Sequence, residues 1–221
     1  MLIILFPFLM RTSLSNADTF CGDEECKKIQ NLYHQSQYDK IVEMASIKKK
    51  YSEGAVFFIG RACINLSDRS NLTSNQKEKL LLTAIEYGYY PAYMNLYNIY
   101  ADKDAEVAIG FVKKYVEKNP DDPDPFFIIG ESEFKKNNYK LANTFLKKSK
   151  KLSKGHTATL DWLLFKVNYI LRDYGYSKKM LDSAFAQGHY VEELRALKAD
   201  SRFADIEKHA EFEKYLYYFK R

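Results

Sequence analysis

Apolar residues recur along this chain at spacings of three and four, the period of a helix that buries one face. Few runs alternate residue by residue as a half-buried strand would. The stretch Leu80 to Tyr100, LLLTAIEYGYYPAYMNLYNIY, carries the pattern most fully. Small residues fall at Ala84, Gly88 and Ala92, followed by Leu96 and Tyr100, each four after the last, on a narrow face that another helix can approach closely. Gly88 and Pro91 bracket an interruption: glycine closes a helix at a left-handed position, and proline opens the next where its missing N–H costs nothing. The stretch is expected to be the joint of a helical hairpin, with Tyr97 and Tyr100 packed between helices and Tyr87, Tyr89, Tyr90 and Tyr93 meeting solvent or a partner.

The spacing repeats. A large apolar residue followed by a small or aromatic one marks a helix centre at Leu32-Tyr33, Ile59-Gly60, Leu96-Tyr97 and Ile129-Gly130, with Leu163-Leu164 as a fifth, at steps of 27, 37, 33 and 34 residues. Ala84-x-x-x-Gly88 is echoed by Ala184-x-x-x-Gly188. This period suits one helix-turn-helix unit, so five helix pairs are predicted. The first runs from Asp23 to Tyr51. The second takes Glu53 to Leu66 and, beyond the insertion SDRSNLTS, a helix opened by Ser74 or Asn75 that reaches Tyr87. The third runs Pro91 to Ala101 and Ala105 to Lys118, ending at the breaker Asn119-Pro120-Asp121-Asp122-Pro123. The fourth opens under Asp122 or Asp124 and ends at Gly155, and the fifth spans His156 to Gly188. After Gly188 the period stops. Leu194, Leu197, Phe203, Ile206, Phe212 and Leu216 mark the tail as a segment that caps the last pair.

The first residues follow another logic. Leu2 to Met10, LIILFPFLM, is too short for the roughly 20 apolar residues of a membrane span. With the small residues up to Ala17 it fits a secretory leader over residues 1–17, although no Lys or Arg precedes the run; the alternative is a buried apolar segment. The expected division is therefore a leader at 1–17, a repeat array at 18–190 and a cap at 191–221, located in the periplasm or outside the cell. In that oxidising setting Cys21 and Cys26, flanking Gly22-Asp23-Glu24-Glu25, are expected to bridge and tie the start of the chain to the first helix. Cys63, within FFIGRACINL, is expected to be a buried free thiol. A charged fraction of 29% and a hydrophobic fraction of 46% are those of an ordinary folded protein. With 18 Tyr and 15 Phe but few Gly and Pro, the chain reads as all-α with aromatic packing.

Candidate chemistry is sparse. His34, His156, His189 and His209 are scattered, and the cysteine spacings match no zinc pattern, so neither a metal nor a cofactor is expected. Gly130-Glu131-Ser132-Glu133-Phe134 lacks the second glycine of a nucleophile elbow and falls inside a predicted helix, and no catalytic residue is assigned. Asp121, Asp122 and Asp124 suit helix capping better than calcium, given the interleaved prolines and the missing distal glutamate. Lys135, Lys136, Lys140, Lys147, Lys148, Lys150, Lys151 and Lys154 alternate with Leu141, Ala142, Phe145, Leu146 and Leu152. That is an amphipathic helix with a solvated face rather than a nucleic-acid stripe; an anionic membrane surface or an acidic partner is the alternative.

The segments IGRACINL, AIEYGYYPAY with NLYNIY, and IIGESEF followed by NNYKLANTFLKKS resemble tetratricopeptide repeats and their relatives, the Sel-like repeats. In those families a Leu-Gly pair centres the first helix, an aromatic follows one turn later and Tyr-x-x-Ala opens the second. Ile129-Gly130, Phe134 and Tyr139-x-x-Ala142 follow that order, and Ala84-x-x-x-Gly88-x-x-x-Ala92-x-x-x-Leu96 follows the Sel-like variant. Leu32-Tyr33 with Tyr38-x-x-Ile41 departs further, and the fifth unit has Leu where Gly is expected.

The resemblance covers most of residues 24 to 190. It implies a right-handed α-solenoid of about five helix-turn-helix repeats with a C-terminal capping helical segment. It also implies a groove lined three before and one after each central residue: Phe57 and Arg61, Met94 and Asn98, Phe127 and Glu131, Asp161 and Phe165. Phe57 and Phe127 could equally fill the core between helices. Arg61 and Glu131 are the stronger candidates, because a core does not accept unpaired charges. The implied function is non-enzymatic: a monomeric module that binds another protein or peptide and no nucleic acid. One form is an immunity or antagonist protein, since small exported Sel-like repeat proteins resemble known partners of bacterial lipase effectors. The alternative is an accessory factor or enzyme activator in envelope assembly.

Overall fold

The computed structural model describes residues 21–47, 50–153, 157–188 and 190–219, and the leader expected at 1–17 lies outside them. Among the described residues the secondary structure is helical and contains no strand. The helices are α1 (Glu24–His34), α2 (Tyr38–Ile47), α3 (Glu53–Ser67), α4 (Ser74–Glu86), α5 (Ala92–Tyr100), α6 (Ala105–Lys118), α7 (Pro123–Lys135), α8 (Tyr139–Leu152), α9 (Ala158–Ile170), α10 (Tyr174–Gln187), α11 (Val191–Ala196) and α12 (Leu216–Phe219), with short 3-10 turns between α11 and α12. Chain neighbours pack together: α1 on α2, α3 on α4, α7 on α8 and α9 on α10. The chain forms two compact units, Met1–Leu96 and Tyr97–Arg221.

Local chemistry starts these helices where the side chains can satisfy the open N–H groups of the first turn. Asp23 accepts from Cys26 N at 2.7 Å, and the disulfide between Cys21 and Cys26 closes the chain around that cap. Helix α4 opens at Ser74, one of the two residues expected, and Thr73 caps it in a reciprocal box with Gln76. Asp104 caps α6, Asp122 caps α7 ahead of Pro123, Thr157 caps α9 and Asp173 caps α10.

The helices end in a device that recurs. At three joints a residue with positive φ follows the helix: Ser36 (φ 57°), Asn137 (φ 63°) and Arg172 (φ 63°). At each, two backbone bonds close the same turn. Ser36 N and Gln37 N donate to Tyr33 O and Leu32 O, Asn137 N and Asn138 N to Phe134 O and Glu133 O, and Arg172 N and Asp173 N to Tyr169 O and Asn168 O. Gly88 (φ 94°) ends α4 with the same pair of bonds, from Gly88 N to Ile85 O and Tyr89 N to Ala84 O. This is the left-handed C-cap that satisfies the last carbonyls of a helix. Across three of the joints an aromatic pair closes over the turn: Tyr33 on Tyr38 at 5.3 Å, Phe134 on Tyr139 at 5.7 Å and Tyr169 on Tyr174 at 5.3 Å.

In the first unit Ile29, Ile41, Ala55, Ile59, Ala62, Cys63 and Ala84 are fully buried. Gly88 closes α4 in the expected left-handed turn, so Ala84 stands on one helix and Ala92 and Leu96 on the next. Ala84, Ala92 and Leu96 on either side are buried. The close approach is made at Gly60 instead, where a Cβ would stand 2.0 Å from Tyr89 Cγ. Tyr89 is therefore a core residue, 8% exposed, and not one of the tyrosines open to a partner.

The core of the second unit gathers α7 to α10 and the tail, with the rings of Phe165 and Tyr169 each meeting those of Phe203 and Phe212. Tyr169 donates to Asp205 and Tyr215 to Asp182, both at 2.6 Å, which fastens the tail to α9 and α10. A buried ion pair joins Lys150 of α8 to Asp161 of α9, and Ser183 and Gln187 of α10 also donate to Asp161. Removing one partner of such a pair costs about 3–5 kcal/mol, because the other charge stays buried.

Candidate protein-binding surfaces

On α3, Phe57 is half-buried and Arg61 exposed, one turn apart on the same side. Tyr33 of α1 accepts from Arg61 Nε at 3.1 Å and from Asn65 Nδ2 at 3.2 Å. The guanidinium lies 5.8 Å from the Phe57 ring centre, and Phe57 meets Tyr89 edge-on. Arg61 thus has a hydroxyl and a ring face as neighbours, and no carboxylate pairs with it among the described residues. Burial pulls its pKa down, but the hydrogen bond and charge interaction with Tyr33 more than offset this and leave it raised, so the group stays charged. Met94 is 8% exposed and therefore core.

In the second unit Asn98 is exposed, Phe127 is half-buried against the core, and Glu131 pairs with Lys135 at 3.1 Å. Glu131 also borders a shallow depression of about 100 Å³, lined with Tyr97, Ala101, Ile109, Ile128 and Lys135. Burial, then the charge of Glu131, raises the pKa of Tyr97.

Asp161 and Phe165 are a correction. Both are fully buried, Asp161 in the ion pair with Lys150 and Phe165 beneath the tail, and neither offers a surface to a partner. The reason is register. Asn137 and Arg172 occupy the same turn, as do Tyr139 and Tyr174, each pair 35 residues apart. Phe165, not Leu164, is thus the counterpart of Gly130, and Trp162 and Lys166 correspond to Phe127 and Glu131. The 35-residue step between Tyr139 and Tyr174 was the available signal; the paired leucines drew the reading one residue away.

Trp162 is 8% exposed and stacks on Tyr190 at 5.1 Å. Lys166 reaches back to α7, its Nζ 5.1 Å from the Phe134 ring centre, and Arg202 of the tail lies the same distance from that ring. Burial, then the charge of Arg202, holds the Lys166 ammonium below the usual lysine range. Arg202 is itself held by Asp200 and by Tyr139 Oη at 3.1 Å. Glu131, Lys166 and Arg202 thus form one mixed-charge surface over Phe134.

These groups present ring faces and charges of both signs. Among the described residues no group of three metal-ligating side chains gathers, and no helix is long and apolar enough to cross a membrane. Compared with models of known protein families and with curated proteins, the sequence matches none.

Proposed function

We propose that the chain is a non-enzymatic interaction module built from tetratricopeptide- or Sel-like helix pairs. It is exported after removal of residues 1–17 and binds a protein or peptide segment through the first helices of its pairs. The recurrence of one left-handed joint at Ser36, Gly88, Asn137 and Arg172 supports the repeat reading. The observation that carries the binding reading is Arg61, an exposed guanidinium set between Tyr33 and Phe57 with no carboxylate partner among the described residues. Arginine beside aromatic rings is the composition of interface anchors, where truncation costs 2 kcal/mol or more. An antagonist of a secreted toxin is one form of this function, and an adjacent effector gene is its genetic signature.

The test is capture of a partner from an envelope extract by tagged full chain, compared with Arg61→Glu, Glu131→Arg and Lys166→Glu. The proposal expects a species retained by the wild type and lost from Arg61→Glu at unchanged helicity and melting temperature. Equal retention by all three variants removes this reading of the surface.

A further inference from the structure

Helix α8 carries five lysines and no acidic residue in its 14 positions. Lys150 turns inward to Asp161. Lys140, Lys147, Lys148 and Lys151 are exposed at spacings of seven, one and three, which sets them on one side of the helix with Leu141, 45% exposed, among them. None of these four is paired with a carboxylate among the described residues. Two are held in place by rings: Lys147 Nζ lies 4.5 Å from the centre of Tyr176 and Lys148 Nζ 4.0 Å from that of Phe126. Lys27, Lys135 and Lys178 are by contrast neutralised locally, by Glu24, Glu131 and Asp182. A solvated face alone does not require that acids be missing from α8.

We infer that the outer side of α8 is a docking surface for an anionic phospholipid bilayer. The shape favours lipid over a structured acidic partner. The four charges lie along a straight rod of roughly 16 Å, by the helical rise of 1.5 Å per residue. They are lysine point charges without the planar fork that selects a single carboxylate. The depression beside Glu131 is lined from α5, α6 and α7, not from α8. Point charges flanking an exposed leucine match a fluid array of phosphates whose headgroups rearrange to meet them. Each lysine near such a surface strengthens binding about fivefold.

The test is co-sedimentation of the full chain with vesicles of phosphatidylcholine containing one third phosphatidylglycerol, and with phosphatidylcholine alone. Binding is expected to the first only and to weaken as salt shortens the range of the attraction. Combined Lys140→Gln, Lys147→Gln, Lys148→Gln and Lys151→Gln is expected to weaken it by roughly two orders of magnitude or more. A control with Lys28→Gln, Lys40→Gln, Lys79→Gln and Lys113→Gln removes the same charge from exposed positions elsewhere and is expected to bind like the wild type at an equal melting temperature. Equal weakening in both variants reduces the effect to net charge and overturns the proposal. Tighter binding to an acidic peptide or single-stranded DNA than to the vesicles overturns it as well.

Discussion

Helices α7 and α9 lie 35 residues apart and end in the same turn, yet one centres on Gly130 and the other on Phe165. In α7 the partner helix presses onto the backbone: a Cβ at Gly130 would stand 2.7 Å from Leu146 Cγ. In α9 the corresponding residue is a fully buried ring that meets Phe203 and Phe212 of the tail. The same position serves close helix pairing in one helix pair and seats the terminal segment in the other. A helix pair can change what it packs against by exchanging one central residue while its joints stay the same.

The comparison breaks most strongly at the ring. Phe165→Ala is expected to cost about 3–5 kcal/mol in denaturant unfolding and to release the tail, seen as faster proteolysis after Gly188. The glycine side is probed by Gly60→Ala and Gly130→Ala, each expected to cost about 1–3 kcal/mol by overpacking. Gly60→Ala should be the worse, because the root of the Tyr89 ring stands 2.0 Å from the new Cβ, whereas at Gly130 the nearest atoms, 2.7 Å away, belong to the Leu146 side chain. Equal costs would mean that α8 is as fixed against α7 as Tyr89 is against α3.

Alkaline pH acts on both units through buried groups, and a buried thiol adds to the first. Burial pushes the Cys63 thiol from 9.0 up to about 12. Its contribution to stability is therefore complete below pH 9 and is lost as the pH rises toward 12, at about 1.4 kcal/mol per unit. Tyr169 and Tyr215 in the second unit are raised in the same direction, chiefly by burial and then by hydrogen bonds to Asp205 and Asp182. Because burial also raises Tyr89 in the first unit, Cys63→Ala is expected to remove only the thiol's share of that unit's loss above pH 9 while leaving that of the second unchanged, followed by amide exchange in each unit.

The smallest expected effect lies at the joints themselves. Exposed Arg172 sits at φ 63°, a conformation unfavourable for a residue with a Cβ. Arg172→Gly is expected to raise stability by about 0.5 kcal/mol, the relief of left-handed strain less the entropy of a new glycine. Asn137→Gly at the matching position should change less, since asparagine tolerates this region.

Much of the helical order was legible because caps and breakers act locally. Gly88 before Pro91 and the Asn119 to Pro123 run place their turns without help from the rest of the chain. The left-handed turns at Ser36 and Arg172 were not legible, because tertiary packing holds ordinary residues there in a conformation their own propensity resists. In the candidate surfaces Arg61 was found because α3 carries its central glycine. Trp162 and Lys166 were missed because α9 lacks that marker, and the apolar pair Leu163-Leu164 looked like a centre. Tyr89 was misplaced for a related reason: nothing in its own neighbourhood announces that Gly60, far back in sequence, has left room for its ring.

Trp162 is the single tryptophan of the chain, and it is stacked on Tyr190, at the point where the helix pairs give way to the tail. Its indole is thus a built-in optical probe. With only 8% of its surface exposed it is expected to emit at short wavelength, and to shift red when the C-terminal segment lifts away. Seating of the tail can then be followed in real time on the unlabelled protein.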